Sequence, residues 1–368
     1  MKKNARKKGA SVSELVLRWY AEHQRDLPWR RTKNPYFIWV SEIMLQQTQV
    51  DTVLPYYKRF LSTFPTVESL AEASLQEVLK VWENLGYYSR ARHLHLAAKE
   101  ITARWGAHIP DTEETLLSLP GIGRYTAAAI LSFAFGQKVA TVDGNVRRVI
   151  SRLFAIQETL DQAHTLRRIA QLAEELVPKA LASPFNQGLM DLGATVCTPK
   201  NPSCTICPLQ ALCLAKKQGL EEMLPVRNKR SPLAHKDVTA GLIQDKRGRL
   251  LIVQRPPSGL LGGLWKFPGG AREPRESLEN ALKRTVREDL GIRVDIQKAL
   301  TAVKHAYTHF RITLHAYQCR LNGGRPKALG CQAWQWTPPS DLARYPFSKA
   351  DRKIMEAMGI APPGSTPQ

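Results

Sequence analysis

The spacing of apolar residues changes part-way along this chain, and the change limits the architecture to a helical block followed by a mixed one. From residue 13 to about 214 apolar residues mostly recur at helical intervals, as in Val146, Val149, Ile150, Leu153 and Phe154, which share one helix face. Residues 215–236 mix charge with Gly219, Pro225 and Pro232, as a linker does. Beyond them, 238–243, 250–254 and 311–320 read as strands, the last alternating Ile312, Leu314 and Ala316 against Thr313, His315 and Tyr317. Residues 277–290 read as a helix following the loop 262–270. The expected fold is therefore multidomain: a basic disordered tail over 1–12, an all-α domain over 13–214, a linker over 215–236 and an α+β domain over 237–368.

Charge narrows the partner. Against 32 acidic residues stand 53 Lys and Arg, a formal charge of +21, and such a field gathers polyanions. Nucleic acid is the natural expectation, although charge alone leaves a ribosome-associated or membrane-surface protein open. No run is apolar enough to cross a bilayer, and the start lacks the apolar core of a secretory signal, so a cytoplasmic protein, nucleoid-associated and without a membrane partner, is expected. Four of the six cysteines, Cys197, Cys204, Cys207 and Cys213, crowd into one segment with spacing C-x6-C-x2-C-x5-C. That spacing suits a metal centre and allows either structural zinc or an iron–sulfur cluster. Cys319 and Cys331 lie outside it and read as ordinary thiols.

Two helical stretches, 113–119 and 124–135, flank Pro120-Gly121-Ile122-Gly123. Gly121 and Gly123 would let the backbone approach a ligand, and the N-H groups of the following helix suit a phosphate. An ordinary helix–helix turn is the plain alternative. The run 119–124, with the Gly/Val/Asp segment 139–143 after it, resembles the helix-hairpin-helix DNA glycosylases, which carry a Gly/Pro-rich loop and a catalytic Asp.

Such chemistry needs a neutral acid to protonate the departing base and an anion beside the developing oxocarbenium ion. Glu42 lies in YFIWVSEIML, where apolar neighbours would desolvate it and raise its pKa, which suits the acid. Asp143, followed by Gly144 and a helix from Asn145, sits where N-H groups and the helix dipole favour the carboxylate. Each also has a plainer reading, as a solvent-facing helix residue and as a simple N-cap. The runs SEIMLQQTQV and TVDGNV resemble the adenine DNA glycosylases of the MutY type, which tips the balance to catalysis.

That resemblance implies that Glu42 protonates adenine at N7, Asp143 stabilises the cationic sugar and Asn145 orients the site. The related endonuclease III branch places a Schiff-base lysine after the hairpin's Arg124, where this chain has Tyr125, so a monofunctional enzyme leaving an abasic site is expected rather than a lyase. The resemblance also assigns Gln47 and Tyr87 to the wedge positions that support a flipped-out base, Trp29 and Arg30 to the adenine-pocket wall, and Gln187 to a position where some members carry Glu. Glutamine there can only hydrogen-bond. For the four cysteines it selects a [4Fe-4S] cluster, which would fix the loop carrying Lys200.

Gly270, Glu276, Arg284, Glu288, Asp289 and Gly291 fall at the offsets of a Nudix box, which raises a rival function, Mg2+-dependent nucleotide hydrolysis. Thr285 replaces one carboxylate of the box and Asp289 substitutes for another, which weakens metal binding. The second domain looks like the MutT-like domain of MutY proteins, which recognises 8-oxoguanine opposite the adenine. Its Phe-Ser-His loop corresponds here to Tyr307, Thr308 and His309. A third possibility, a non-catalytic DNA-binding protein, would require neither carboxylate. The expected function is therefore a monomeric glycosylase acting on double-stranded DNA containing A:8-oxoguanine or A:G mispairs.

Overall fold

A computed structural model describes residues 10–228 and 232–360. The tail expected over 1–12 falls, for residues 1–9, outside the described residues; Val12 already begins a helix, with Ser11 and Glu14 forming a reciprocal capping box. The helices are α1 (Val12–His23), α2 (Pro35–Leu45), α3 (Val50–Thr63), α4 (Val67–Glu72), α5 (Leu75–Val81), α6 (Tyr88–Trp105), α7 (Glu113–Leu117), α8 (Arg124–Phe133), α9 (Gly144–Leu153), α10 (Ala163–Leu176), α11 (Ala182–Thr195), α12 (Leu214–Gln218), α13 (Leu278–Leu290) and α14 (Lys349–Ala357). The strands are β1 (Ala234–Gln244), β2 (Leu250–Gln254), β3 (Trp265–Lys266), β4 (Arg293–Ala306), β5 (Phe310–Gly323) and β6 (Ala333–Thr337). Among the described residues no helix is long and apolar enough to cross a membrane.

The chain divides into two compact units that interleave in sequence, one of Met1–Gln47 with Glu100–Arg230 and the other of Thr48–Lys99 with Ser231–Gln368. The helical block expected from periodicity is thus not one body: α3 to α5 share a unit with the sheet. Polar contacts show why. Gln76 donates to the Gly263 carbonyl at 3.0 Å and accepts from the Trp265 indole at 3.0 Å, and Arg352 donates to Glu83 at 2.6 Å.

In the first unit α1, α9, α10 and α11 enclose a core that includes Val16, Val149, Ile150, Ile169, Phe185 and Leu192. The expected α9 stripe is buried except for Phe154, which is half-buried. Helix α9 also buries Arg148 and Arg152 on what periodicity marks as its polar side. Helix α2 starts at Pro35 under an Asn34 cap and is buried almost all round.

In the second unit the sheet order is β3-β2-β1-β5-β4, with β6 also paired to β2. The β1–β5 pair is parallel, and β4–β5 is antiparallel. Strand β4 is absent from the sequence reading because irregularities at Ile296/Lys298 and Ala299/Thr301 interrupt its period of two. Helix α13 packs Leu282, Val286 and Leu290 on one face of the sheet, while α14 adds Ile354 and Met355 to the core that contains Ile312 and Leu314.

Candidate active site and cluster loop

Helix α2 carries Glu42 into the interior of the first unit, where it is 3% exposed. Its Oε2 accepts a hydrogen bond from the Tyr125 hydroxyl at 2.8 Å. Burial pushes the carboxyl up to about 7, and the charge of Asp143 adds to this, while the Tyr125 bond and Arg30 pull the other way. The desolvated acid expected from the flanking apolar residues is therefore present.

Asp143 caps α9. Its Oδ1 accepts from the Val146 N-H at 2.7 Å and its Oδ2 from the Asn145 amide at 2.9 Å. The expectation that this helix start would favour the anion needs correction, because burial outweighs those donors and holds the Asp143 carboxyl above its ordinary value. The contrast between the two carboxylates is one of degree. Three N-H donors, two backbone and one side-chain, and the nearby Arg148 serve Asp143, whereas a single neutral hydroxyl serves Glu42, so Asp143 is the better placed to carry charge.

Asn145 is itself held. Arg148 donates to its Oδ1 at 2.9 Å, to the Gly193 carbonyl at 2.6 Å and to the Cys197 carbonyl at 2.6 Å. A Cβ on Gly193 would lie 2.6 Å from Asn145 Cβ, so only glycine lets α11 approach α9 this closely. Gly193→Ala is expected to cost about 1–3 kcal/mol by overpacking and to slow excision by displacing Asn145. Thermal melting and single-turnover cleavage check this, and an unchanged rate would show that Asn145 needs no such support. Buried Asn186 plays a parallel part on the approach to Asp143, accepting from Thr141 N-H at 3.2 Å and donating to Ser132 at 2.9 Å and to the Val139 carbonyl at 2.7 Å.

Arg30 and Gln187, assigned separately from sequence, belong to one network. Arg30 donates to Asp191 at 2.8 Å and lies 5.6 Å from the Tyr20 ring centre; the Tyr20 hydroxyl donates to Gln187 Oε1 at 2.8 Å, and Gln187 donates to Ser183 at 2.9 Å. Gln187 is confined to hydrogen bonding, as its chemistry requires. Arg25 also donates to Asp191, at 2.7 Å, and the two guanidiniums hold that carboxyl below its ordinary value despite its burial. Trp29 is buried. Sequence reasoning missed Tyr20, Asn186, Asp191 and Gly193; the only local signal was that Gln187 and Asp191 are one turn apart on α11.

At the hairpin, Gly121 has φ +77° and needs glycine, but Gly123 is extended. Gly123 matters for space instead: it caps α8 without a side-chain bond, and a Cβ there would meet nothing within 4 Å, which leaves the helix start open to a phosphate. Gln47 is exposed with φ +57° just beyond α2.

In the second unit Tyr87 is presented on a strained turn, φ +47° after Gly86 at +80°, with its ring 36% exposed. Its hydroxyl pairs with Thr308 Oγ1, and Arg90 lies 5.2 Å from its ring centre. Thr308 and His309 are exposed in the turn between β4 and β5. Tyr307, expected to face DNA with them, is half-buried with its ring 5.0 Å from Phe310 and 4.6 Å from His305. In the Nudix box Arg284 grips Glu276 at 2.9 Å and Glu288 at 3.1 Å, and Lys266 pairs with Asp289 at 3.0 Å. Thr285 turns its hydroxyl back to the Ala281 carbonyl at 2.8 Å. Carboxylates committed in this way are poorly disposed to hold Mg2+.

The four half-buried cysteines Cys197, Cys204, Cys207 and Cys213 line one small cavity of about 30 Å³. Four sulfur donors brought to one cavity, with no nitrogen or oxygen ligand required, suit an iron–sulfur cluster. Burial pushes the Cys207 thiol up to about 11, and a metal would be needed to hold it as thiolate. Arg152, almost wholly buried, donates to Cys197 Sγ at 3.2 Å, to the Thr198 carbonyl at 2.7 Å and to the Leu224 carbonyl at 2.9 Å.

Three family models match the chain: the HhH-GPD superfamily base excision DNA repair protein over residues 40–192, the iron-sulfur binding domain of endonuclease III over 197–213, and the NUDIX domain over 239–357. The adenine DNA glycosylase of Homo sapiens is 36% identical, aligned over 95% of this chain and 74% of its own length. The adenine DNA glycosylase of Schizosaccharomyces pombe is 30% identical over 89% of this chain and 85% of its own. A solved thermostable thymine-DNA glycosylase, 33% identical, covers 56% of this chain and 95% of its own with a TM-score of 0.52.

Proposed function

The chain belongs to the adenine DNA glycosylases, base-excision repair enzymes here equipped with a [4Fe-4S] cluster, and from that premise we propose that it removes adenine paired with 8-oxoguanine or guanine by acid-assisted hydrolysis at Glu42 and Asp143. The observation that carries this reading is Glu42, buried beside Asp143 with its pKa near neutrality.

The adenine leaves the helix stack to react, at a cost of a few kcal/mol in lost stacking and pairing. Tyr125 donates to Oε2 of Glu42, so the proton of the neutral acid resides on Oε1, free to pass to N7 of the base. As N7 takes that proton, the C1′–N9 electron pair goes to the departing adenine and positive charge develops on the sugar. The Asp143 carboxylate, oriented by Asn145 and Val146, stabilises that charge. Water then adds at C1′ and gives its proton to the Glu42 carboxylate, which restores the acid and leaves free adenine and an abasic site. Tyr125 has no amine to form a Schiff base, so the strand stays intact. Gln47 and Tyr87 fill the distorted duplex, Trp29 and Arg30 wall the adenine, Gln187 supports them through Tyr20, and Gly121 and Gly123 admit a phosphate. Cys197, Cys204, Cys207 and Cys213 hold the cluster, whose chemistry here is to fix the loop that presents Lys200.

The preference for 8-oxoguanine is assigned to the exposed Thr308 and His309, with Tyr307 as the ring that buttresses their turn. The Tyr87–Thr308 hydroxyl pair supports this, because it ties that turn to a wedge residue. Thr308→Ala is expected to lower the A:8-oxoguanine over A:G rate ratio about fivefold, the value of one net hydrogen bond near 1 kcal/mol. Single-turnover cleavage of the two duplexes measures it, and an unchanged ratio would remove Thr308 from lesion reading. The function as a whole is tested with labelled duplexes containing A:8-oxoguanine, A:G or thymine glycol, followed by hot alkali. Alkali-labile sites at adenine are expected. Their absence would reject the proposal, and scission without alkali would favour the lyase branch.

A further inference from the structure

We propose that Glu83 is a positioning residue for mispair discrimination: with Arg352 it holds the Tyr87 wedge turn in register with the Thr308 turn, so that the two act as one rigid element. The inference rests on the reading above, in which Tyr87 and Thr308 meet the duplex. Glu83 immediately precedes a strained turn between α5 and α6. Asn84 has φ +73°, Gly86 +80° and Tyr87 +47°, so three of its four residues are left-handed, and only the glycine adopts that conformation freely. Such a turn persists where its surroundings over-determine it. Locally the Trp82 indole donates to the Gly86 carbonyl at 3.1 Å, Arg90 donates to the same carbonyl at 3.1 Å, and the Asn84 N-H donates to the Tyr88 hydroxyl at 3.0 Å. These bonds fix the shape of the turn but not its place against the sheet.

Glu83 supplies the place. Its Oε1 accepts from the Phe347 N-H at 2.9 Å and from Arg352 Nε and Nη2 at 2.8 and 2.6 Å, and its Oε2 accepts from Lys80 at 2.6 Å. The Arg352 and Glu83 side chains are only 9% and 11% exposed. Arg352 also donates to the Tyr345 carbonyl at 2.9 Å and lies 5.5 Å from the Phe347 ring centre. Charged partners withdrawn from water make the stronger hydrogen bonds, and two from one planar guanidinium fix direction as well as distance. The entrance to the wedge turn is thereby tied to residues 345–352, where α14 begins.

The start of α14 leads in turn to the other DNA-facing element. Ser348 caps α14, and its side chain meets the Tyr307 hydroxyl. Thr308 follows Tyr307 and pairs with the hydroxyl of Tyr87. The contacts therefore close a ring: wedge turn, Glu83, start of α14, Tyr307, Thr308 and back to Tyr87. The ring lies within one compact unit, while Glu42 and Asp143 belong to the other. Without the Glu83–Arg352 link, the exposed Tyr87–Thr308 hydroxyl pair alone would join the two turns, and one neutral bond of that kind resists separation by a factor of only about five. Discrimination is a difference between two affinities. A turn that yields reduces it, because it relaxes around the poorer partner and loses fixed contacts with the better one.

The test is single-turnover excision by the full chain, cluster included, on A:8-oxoguanine and A:G duplexes. Active protein is titrated first, so that partial unfolding scales both rates alike and leaves their ratio unmoved. Glu83→Ala should lower the ratio about tenfold, the value of a hydrogen bond to a charged group. Two milder variants serve if that protein does not fold: Glu83→Gln, which still offers the Phe347 N-H an acceptor, and Arg352→Lys, which keeps the charge without the planar fork. Each should lower the ratio about threefold. In Thr308→Ala the ring is already open, so a Glu83→Ala/Thr308→Ala double variant should fall no further than Glu83→Ala alone. A ratio unchanged in Glu83→Gln and Arg352→Lys, rates that drop equally on both duplexes, or losses that multiply in the double variant would overturn the proposal. Where the unmodified protein prefers A:8-oxoguanine and the Glu83 variants do so equally, only the role of Glu83 falls. An unmodified protein that excises from both duplexes alike overturns that preference and the role of Glu83 together.

Discussion

Glu42→Gln is expected to abolish adenine release while raising the heat stability of the protein at about pH 8. Loss of a positioned general acid lowers a rate by roughly 10²–10⁴, and glutamine can still accept the Tyr125 hydroxyl, so local packing survives. The stability effect follows from linkage. The fold raises the Glu42 carboxyl from 4.5 to about 7, which favours its neutral form. Below the lower value both folded and unfolded chains are protonated and nothing is lost. As pH rises from there through about 7, the unfolded chain gives up its proton first, and the fold is penalised until Glu42 also ionises. At 1.36 kcal/mol per pKa unit the full penalty is about 3 kcal/mol, and glutamine removes it. Melting curves of the two proteins should therefore separate near pH 8 and converge near pH 4. The same titration shapes activity: kcat/KM should fall as pH rises through about 7, and again at low pH as Asp143 takes a proton. Excision by Glu42→Gln within tenfold of the unmodified enzyme, or no gain in melting temperature at alkaline pH, would remove Glu42 from the acid's role.

Glu42 was legible because the cause of its shift is local: a helix apolar on nearly every face buries whatever it carries. Asp143 was legible only in part. The order Asp-Gly-Asn announces a cap and its donors, but the burial that outweighs them comes from tertiary packing, which no short run of residues encodes. The same limit hid Asp191, whose partner Arg30 is 161 residues away, and Gly193, whose role exists only where α11 meets α9. Arg148 and Arg152 were invisible for another reason. On α9 they occupy what periodicity marks as a solvated face, yet they are buried against the cluster loop. Strand β4 escaped because bulges break its alternation, and the interleaving of the two units escaped because helical spacing reports an element's period and not its neighbours.

Arg148→Met is expected to uncouple the cluster loop from the catalytic carboxylates. Methionine approximates the buried aliphatic volume of arginine but offers no donor, so Asn145 Oδ1 and the carbonyls of Gly193 and Cys197 lose their shared partner in an interior where Arg148 is only 6% exposed. Leaving buried acceptors without their donor typically costs about 1–3 kcal/mol, which is a large share of the stability of a domain. Asn145 then loses its anchor and Asp143 the fixed direction of its one side-chain N-H donor, so excision should fall about a hundredfold or more. Three measurements on one sample locate the effect: melting temperature, the visible absorbance of the cluster, and single-turnover excision. Retained absorbance with lost excision would show that the cysteines alone hold the cluster while Arg148 transmits its position to Asp143. Loss of both would place Arg148 in cluster retention as well, and chelating the iron from the unmodified protein should then reproduce the excision defect. A variant that keeps its absorbance and excises adenine at the original rate would show that Asp143 is positioned by its own helix, independently of residues 197–213.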